Sequence, residues 1–240
     1  MTQRNIVASS GGFIATGRWG VVRPGGIFKR ALELTGKTRP RVLFVLTASG
    51  DDKQYLSTMY EAVSDLGVDV GHLALFTQPN QPVESLVGNA DLIWVGGGSV
   101  ANLLSLWRLH QVDLALKDAW ESGTVLGGVS AGSICWHVGG PTDSFGPDLQ
   151  IVTNSLGFLP YGNGVHYDSE TSRRPMLQSV VKNETLPLSY ATDDHAAVVY
   201  QGIDPVEVVI DSDKFEANAY RVELVAGQLI ESVIRPGLIT

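Results

Sequence analysis

The amino-acid sequence predicts an α/β fold: a single three-layer α/β/α domain built on a mostly parallel sheet. Short apolar runs alternate with longer amphipathic stretches, as expected when crossover helices join parallel strands and cover both faces of the sheet. The 27 glycines are spread along the chain and allow many tight turns. Because 240 residues can bury a full core without dividing, we expect one domain over residues 1–240.

The predicted strands are short runs of apolar, often β-branched residues bounded by turn residues. One of them ends directly at three consecutive glycines, and the last three are expected to form an antiparallel edge. In chain order the predicted strands cover residues 6–8, 41–47, 71–76, 92–95, 125–126, 196–200, 206–210 and 221–225.

The predicted helices are longer stretches in which apolar residues recur at helical spacing. They cover residues 53–66, 100–107 and 111–122, and a further helix begins at Ser130. Residues 137–148 are rich in Gly, Pro and Asp, which indicates an irregular excursion near the functional edge of the sheet.

The charge balance restricts the partners. The formal net charge is −8, and no run of Lys or Arg occurs, which argues against nucleic acid or an anionic membrane as the main partner. No apolar run reaches the roughly 18 residues that a membrane span needs. We therefore expect a small molecule or a short peptide as ligand, and the sequence leaves the oligomeric state open between monomer and homodimer.

The single cysteine, Cys135, excludes an intramolecular disulfide and is expected to face the core as a small hydrophobe. The N-terminal residues 1–5 lead into a predicted strand without the apolar segment of a signal peptide, so the expected location is the cytoplasm. Histidines and acids lack a close ligand spacing such as H-x-x-x-H. No metal and no other cofactor is therefore expected.

The segment Gly128–Gly132 has the pattern of a nucleophile elbow. Glycines two residues before and after Ser130 would let the backbone turn sharply and present the hydroxyl at a helix N-terminus. The N–H of Ala131 would then face a developing oxyanion. The alternative is a tight strand-to-helix turn whose serine only caps the helix.

The glycine run at 96–98 is the candidate for a second oxyanion donor, through Gly97 and Gly98. It follows a predicted strand, so it should lie at the same edge of the sheet as the elbow. Phosphate or nucleotide binding ranks below this interpretation, because the spacing is neither G-x-G-x-x-G nor that of a P-loop.

Five histidines could serve as the base, and His166 is favoured. It lies in a short segment flanked by glycines and acids, where a loop could bring its ring to the serine. His195 competes through the cluster at 192–195, although adjacent side chains in a strand point to opposite faces. The remaining three are expected to be structural or solvated: His72 at a strand, His110 at a helix end, and His137 two turns into the helix after the elbow.

Several ordered motifs together resemble the peptidase E family of serine peptidases, which are relatives of cyanophycinase. These are VGGGSVANLL, GGVSAGSICW, PTDSFG, LGFLP, VHYDSETSRRP and ATDDHAAVV, and they span nearly the whole chain. The resemblance implies a fold akin to class I glutamine amidotransferases. It makes Ser130 the nucleophile and His166 the base, with Asp194 or Asp143 as the acidic partner.

The resemblance also bears on specificity. It implies that an arginine downstream of the histidine holds the carboxylate of an N-terminal aspartate, and Arg173 and Arg174 occupy that region. The alternative for this pair is a solvated turn before Pro175. His195 stands where the family has a glycine, which is a visible departure.

The resulting hypothesis is a cytoplasmic exopeptidase that cleaves short peptides, for example with N-terminal aspartate, through a Ser-His-Asp triad and an acyl-enzyme. Three alternatives remain: a hydrolase of another amide such as a cyanophycin-like polymer, a non-catalytic metabolite-binding protein on the same fold, and an amidotransferase-like enzyme. The last is disfavoured because that chemistry normally uses a cysteine at the elbow.

Overall fold

The computed structural model describes residues 3–239. Residues 1, 2 and 240, at the two ends of the expected domain, lie outside the described part. In chain order the strands are β1 (Asn5–Ser9), β2 (Phe13–Ala15), β3 (Val22–Pro24), β4 (Arg41–Val45), β5 (Asp69–Leu73), β6 (Leu92–Val95), β7 (Val125–Val129), β8 (Gly140–Thr142), β9 (Gln150–Val152), β10 (Gly162–Gly164), β11 (Ser189–Thr192), β12 (Ala196–Gln201), β13 (Asp204–Ile210), β14 (Ala219–Val225), β15 (Gln228–Ile234) and β16 (Gly237–Leu238).

The helices vary from one turn to three. They are α1 (Gly26–Leu34), α2 (Lys53–Val63), α3 (Val83–Gly88), α4 (Val100–Leu109), α5 (Val112–Glu121), α6 (Ala131–Ile134) and α7 (Arg173–Lys182), with a 3-10 turn at Thr47–Ser49. Asp52 caps α2 by accepting from the N–H of Tyr55, and Ser99 caps α4 by accepting from the N–H of Asn102.

The central sheet has the strand order β5-β4-β6-β7-β1-β12-β13-β16. The first five strands pair in parallel, and β12, β13 and β16 extend the sheet in antiparallel fashion. The carboxyl ends of β6, β7 and β1 therefore meet at one edge, where the loops that follow them can share a site. The predicted mostly parallel sheet is confirmed.

Helices cover both faces of this sheet and enclose two cores. Because strand residues alternate, Ile93 and Leu43 join the core under α3, α4, α5 and α6, whereas Trp94 and Phe44 join the core under α1 and α2. In the second core the rings of Phe28 and Trp94 meet edge to face, 5.1 Å between centroids. This arrangement is the predicted three-layer architecture.

A second, four-stranded sheet has the order β10-β11-β14-β15 and packs against α7. The prediction that the last three strands form one antiparallel edge was wrong in part. The runs at 196–200 and 206–210 do form that edge, as β12 and β13, but the run at 221–225 belongs to β14 in the second sheet. Short β-branched runs look alike in sequence, so the pattern alone could not separate the two sheets.

The helix after the elbow is shorter than expected. It ends at Ile134, and Cys135 is its C-cap, so His137 lies beyond the helix and not two turns into it. The chain leaves the helix because the N–H of Val138 donates to the carbonyl of Tyr161 and aligns the backbone beside β10. The strand expected at 71–76 is likewise displaced to β5, and α1, α3 and α7 have no counterpart among the predicted helices.

His137 is fully buried, which fulfils the expectation that it is structural. Its Nδ1–H donates to the carbonyl of Ser133 at 2.9 Å, and its Nε2 lies 3.5 Å from the hydroxyl of Tyr200. Burial lowers the pKa of His137 from 6.5 to about 4, and the hydrogen bond to Ser133 opposes this only in part. The folded protein therefore holds this imidazole neutral where the unfolded chain would protonate it.

The substitution His137→Gln should flatten the acid limb of the stability profile. The stabilisation from a neutral His137 is complete above pH 6.5 and is lost as the pH falls toward about 4, because only the unfolded chain binds the proton in that range. We expect wild type to lose up to about 3 kcal/mol more than the variant over this interval. Urea unfolding at several pH values measures the difference, and parallel profiles for the two proteins would contradict the assignment.

Candidate active site

Ser130 occupies a strained turn between β7 and α6. Its φ is 57° and its ψ is −114°, a region that non-glycine residues rarely adopt. The N–H of Ser130 donates to the carbonyl of Ser9 on β1, and the carbonyl of Ser130 accepts from the N–H of Ile134. Within residues 3–239 its hydroxyl makes no capping bond to α6. The capping alternative is therefore not what this structure contains.

The two flanking glycines allow the elbow to press against the neighbouring strand. A Cβ on Gly128 would lie 2.7 Å from the carbonyl oxygen of Val95, and a Cβ on Gly132 would lie 2.7 Å from the carbonyl carbon of that same residue. Real Cβ atoms do not approach backbone atoms so closely. Glycine is thus required at both positions by contact with β6.

The glycine loop after β6 lies directly beside the serine. A Cβ on Gly97 would be 3.3 Å from Ser130 Cβ and 3.9 Å from Ser130 Oγ. Gly98 has φ +132°, and a Cβ there would overlap the backbone of Ala48, so a side chain is excluded on two grounds. The loop and the start of α6 thus lie on neighbouring sides of the Ser130 side chain.

His166 and Asp194 come from the ends of two parallel strands of the second sheet. His166 lies two residues after β10, and Asp194 lies two residues after β11, so the parallel pairing of these strands brings the side chains together. His166 Nδ1 and Asp194 Oδ1 are 2.6 Å apart. With Nδ1–H donating to this carboxylate, Nε2 is the nitrogen left to exchange a proton.

A chain of hydrogen bonds holds the histidine in place. His166 has φ 53°, and its N–H donates to Ser10 Oγ at 3.0 Å. That hydroxyl also lies 2.7 Å from Thr192 Oγ1, and the N–H of Asp194 donates to Asp168 Oδ1 at 2.8 Å. Ser10 follows β1 of the central sheet, so the position of His166 is fixed relative to both sheets.

A second link joins the elbow to the strand that leads to His166. Ser133 on α6 donates from its Oγ to Asn163 Oδ1 at 2.9 Å, and Asn163 donates from Nδ2 to the carbonyl of Tyr190. Both Ser133 and Asn163 are buried. These bonds lock α6 against β10 and β11.

Asp143 has other partners than the histidine. Its Oδ1 is 3.7 Å from Arg173 Nη2, and its side chain is 61% exposed. It lines a polar pocket of about 250 Å³ that contains Ser130 itself. The residues of this pocket are Gly98, Ser99, Ser130, Asp143, Ser144, Glu170 and Arg173. Of the two acids that the sequence left open, Asp194 contacts His166 and Asp143 contacts Arg173.

Arg173 and Arg174 point to different places. They are the first residues of α7, not a solvated turn, and consecutive helical residues project in different directions. Arg173 is 3% exposed; its Nε donates to Glu170 Oε2 at 2.6 Å and its Nη1 to the carbonyl of Pro141 at 2.9 Å. Arg174 pairs instead with Glu231, and only Arg173 lines the pocket at Ser130.

Two residues of the site were not identified from the sequence. Glu170 lies three positions before Arg173, in the turn that leads into α7, and this close pair of opposite charges was the signal available in the sequence. Ser10 offered no such signal, because its contacts to His166 and Thr192 join distant segments.

The remaining candidate groups are accounted for within the described chain. Cys135 is fully buried, and burial raises the pKa of its thiol, which confirms that it faces the core. The Nδ1 of His72 lies 3.0 Å from the hydroxyl of Tyr60. Among residues 3–239 no group of three His, Cys, Asp or Glu side chains is placed to hold a metal ion. No helix in that range has the length and apolar character to cross a membrane.

Comparison with known proteins identifies the family. A model described as peptidase family S51 matches residues 6–207. The chain belongs to peptidase family S51. This S51 chain is 39% identical over 200 residues to an uncharacterized peptidase, YgaJ, of Bacillus subtilis strain 168, a match that covers 83% of this chain and 85% of that protein. It is 26% identical over 194 residues to a peptidase E of Shewanella denitrificans, covering 75% and 79%.

A solved structure supports the fold of this S51 chain. The crystal structure of a peptidase from an acI-B1 Actinobacterium superposes with a TM-score of 0.71 at 16% sequence identity, covering 99% of this chain and 97% of that one. The predicted resemblance to the peptidase E family, the predicted fold class and the prediction of an enzyme are thereby confirmed. The chain is a peptidase.

The substitution Gly97→Ala should reduce activity without unfolding this S51 peptidase. The added methyl would stand 3.3 Å from Ser130 Cβ, so the serine must shift by a few tenths of an ångström. We expect kcat to fall at least about tenfold, since small misplacements of reacting groups are costly. Gly88→Ala at the end of α3 is the matched control, because a Cβ there meets nothing within 4 Å. Equal peptide turnover by the two variants would show that Gly97 does not border the reacting atoms.

Proposed function

We propose that this chain is a serine exopeptidase that hydrolyses short peptides, with Ser130 as nucleophile, His166 as general base and Asp194 as the acid that orients the imidazole. The observation that carries the proposal is the 2.6 Å hydrogen bond between His166 and Asp194 in a cleft that is also lined by Val129, the residue before the strained Ser130. Nucleophile, base and orienting acid are the three parts that acyl transfer to a serine requires.

The reaction proceeds in two acyl-transfer steps. Ser130 Oγ attacks the peptide carbonyl while its proton passes to His166 Nε2, and the C–N bond then breaks as His166 returns that proton to the leaving amine. Water, deprotonated by His166, hydrolyses the ester and frees Ser130. The N–H groups of Ala131 and of the Gly97–Gly98 loop stabilise the oxyanion in both steps. Asp194 stabilises the imidazolium that forms in between.

The polar pocket beside Ser130 suits the N-terminal residue of the substrate. At about 250 Å³ it has room for roughly one residue, which favours an exopeptidase. It presents the carboxylates of Asp143 and Glu170 for the substrate's α-ammonium group, and the guanidinium of Arg173 for a carboxylate side chain. An N-terminal aspartate carries both charges, so peptides of the form Asp-X are the substrates that this pocket fits best.

The triad assignment predicts different results for the two candidate acids. Ser130→Ala and His166→Ala should abolish turnover of an Asp-X dipeptide, and Asp194→Asn should lower kcat by about 10²- to 10⁴-fold, because the imidazole loses its orienting acceptor. Asp143→Asn, the matched control, should act mainly on KM. Steady-state kinetics on the four variants decides the matter. A larger loss of kcat in Asp143→Asn than in Asp194→Asn would reverse the roles of the acids, and full activity of Ser130→Ala would refute the mechanism.

The two arginines provide a matched test of specificity. Arg173→Met should lower kcat/KM for Asp-X dipeptides by about 10- to 100-fold while changing Ala-X dipeptides less, because a charge-assisted hydrogen bond to the substrate carboxylate is lost. Arg174→Met should leave kcat/KM unchanged for both substrates, since Arg174 pairs with Glu231 away from the pocket. Thermal denaturation checks that the Arg173 variant folds. A folded Arg173→Met enzyme with unchanged Asp-X to Ala-X ratio would exclude Arg173 as the specificity group.

A further inference from the structure

A second cleft, of about 630 Å³, is lined by the proposed catalytic histidine. Val129, His166 and Asp194 line it, whereas Ser130 and Arg173 line the polar pocket and not this cleft. The two hollows therefore meet at consecutive residues of the elbow and divide the members of the proposed triad between them. Under the proposed mechanism, on which this inference rests, one of them must hold the acyl part of the substrate and the other the leaving group.

The proton transfers decide which hollow holds the leaving group. His166 gives its proton to the leaving amine, so that amine must lie beside the imidazole. The cleft is lined by His166, and the polar pocket is not. The leaving group of a dipeptide is a single amino acid, whose free α-carboxylate then has to be accommodated inside the cleft.

His195 lines this cleft in a fixed orientation. Its φ is 66°, its N–H donates to the carbonyl of Ser10, and its ring stacks on Phe215 with 3.7 Å between centroids and 11° between planes. Its Nδ1 lies 3.1 Å from Asp211 Oδ2. The side chain is 32% exposed. Ring stacking and the contact at Nδ1 thus leave Nε2 as the ring nitrogen available to a ligand.

Asp211 is the buried acceptor behind His195. Its side chain is fully buried, and it accepts from the N–H of Gly12 at 2.9 Å and, more weakly, from the N–H of Ile27 at 3.4 Å. Within residues 3–239, His195 is the only basic side chain within 4 Å of this carboxylate. A buried carboxylate is costly unless hydrogen-bond donors surround it, and His195 Nδ1–H is placed to act as a side-chain donor beside the two backbone N–H groups.

We propose that His195 binds the α-carboxylate of the leaving amino acid through Nε2–H, and that this contact makes the enzyme selective for dipeptides with a free C-terminus. In the proposed complex Nδ1–H donates to Asp211 while Nε2–H donates to the substrate carboxylate in the cleft that His195 and His166 line together. Among the described residues that line the cleft, Arg18 is the other cation, and it is exposed at the rim. Two acids line the cleft too: Asp194, which is hydrogen-bonded to His166, and Asp52, which accepts from the N–H of Tyr55 at the start of α2.

The variant His195→Asn isolates this contact. The amide of asparagine can take the place of Nδ1 toward Asp211, and asparagine tolerates a positive φ better than most residues, so the fold around Asp211 is retained while Nε2 is removed. Each enzyme is assayed with a dipeptide and with the same dipeptide amidated at its C-terminus. Wild type should prefer the free acid by about 10- to 100-fold in kcat/KM, as expected for a charge-assisted hydrogen bond.

In His195→Asn this preference should fall to within about twofold, through a higher KM for the free acid and little change for the amide. If His195 had a purely structural role, the variant would lower kcat/KM for both substrates alike, and that result would overturn the proposal. Arg18→Gln is the control from the same cleft. If Arg18→Gln lost the preference for the free acid and His195→Asn kept it, the proposal would equally be overturned. Thermal denaturation of each variant separates loss of fold from loss of the contact.

A binding measurement separates this inference from the proposed mechanism. Calorimetry measures the Kd of the dipeptide and of its amide for two inactive proteins. One carries Ser130→Ala alone, and the other carries Ser130→Ala together with His195→Asn. If His195→Asn raises the Kd of the free acid by about tenfold or more and leaves the Kd of the amide unchanged, the contact is supported. This holds even if wild type hydrolyses neither compound. Such an absence of hydrolysis would refute the peptidase mechanism but not the contact. Equal binding of acid and amide in the Ser130→Ala protein would refute the contact.

Discussion

The close approach of the elbow to strand β6 is the constraint on which the site depends. In the parallel pairing of β6 and β7, Val95 lies opposite Gly128, and the backbone of Val95 occupies the space that side chains at 128 and 132 would need. Because the turn is pressed down onto the sheet, the chain reverses with Ser130 at its apex. The same contact brings the Gly96–Gly98 loop, which follows β6, against the serine. Without this approach neither the hydroxyl nor the surrounding amides would converge.

The residues that carry the proposed chemistry share a strained backbone conformation. Ser130, His166 and His195 all have φ between 53° and 66°, which costs free energy for non-glycine residues. One residue at the end of β1 helps to hold two of them: Ser10 accepts from the N–H of His166 with its hydroxyl and from the N–H of His195 with its carbonyl. The backbones of the two histidines are thus held from a single residue.

The sequence was sufficient for those features whose signals are local. Alternating apolar runs predicted the parallel sheet, and the spacing of glycines around Ser130 predicted the elbow, because both depend on neighbours a few residues apart. The choice between Asp143 and Asp194 could not be made, since it depends on the parallel pairing of β10 and β11. The same holds for Arg173 and Arg174. Which guanidinium lines the pocket depends on the start of α7 at Arg173, and this helix was not among the predicted ones.

The division of the site between two sheets has a consequence for how activity is lost. The central sheet carries Ser130 and the glycine loop, whereas the second sheet carries His166 and Asp194 on the ends of β10 and β11. Buried bonds through Asn163 and the contacts of Ser10 join the halves. Under the proposed mechanism, hydrolysis requires that the two sheets keep their relative position. Any treatment that separated them would abolish hydrolysis even if the hydrogen bonds within each sheet remained.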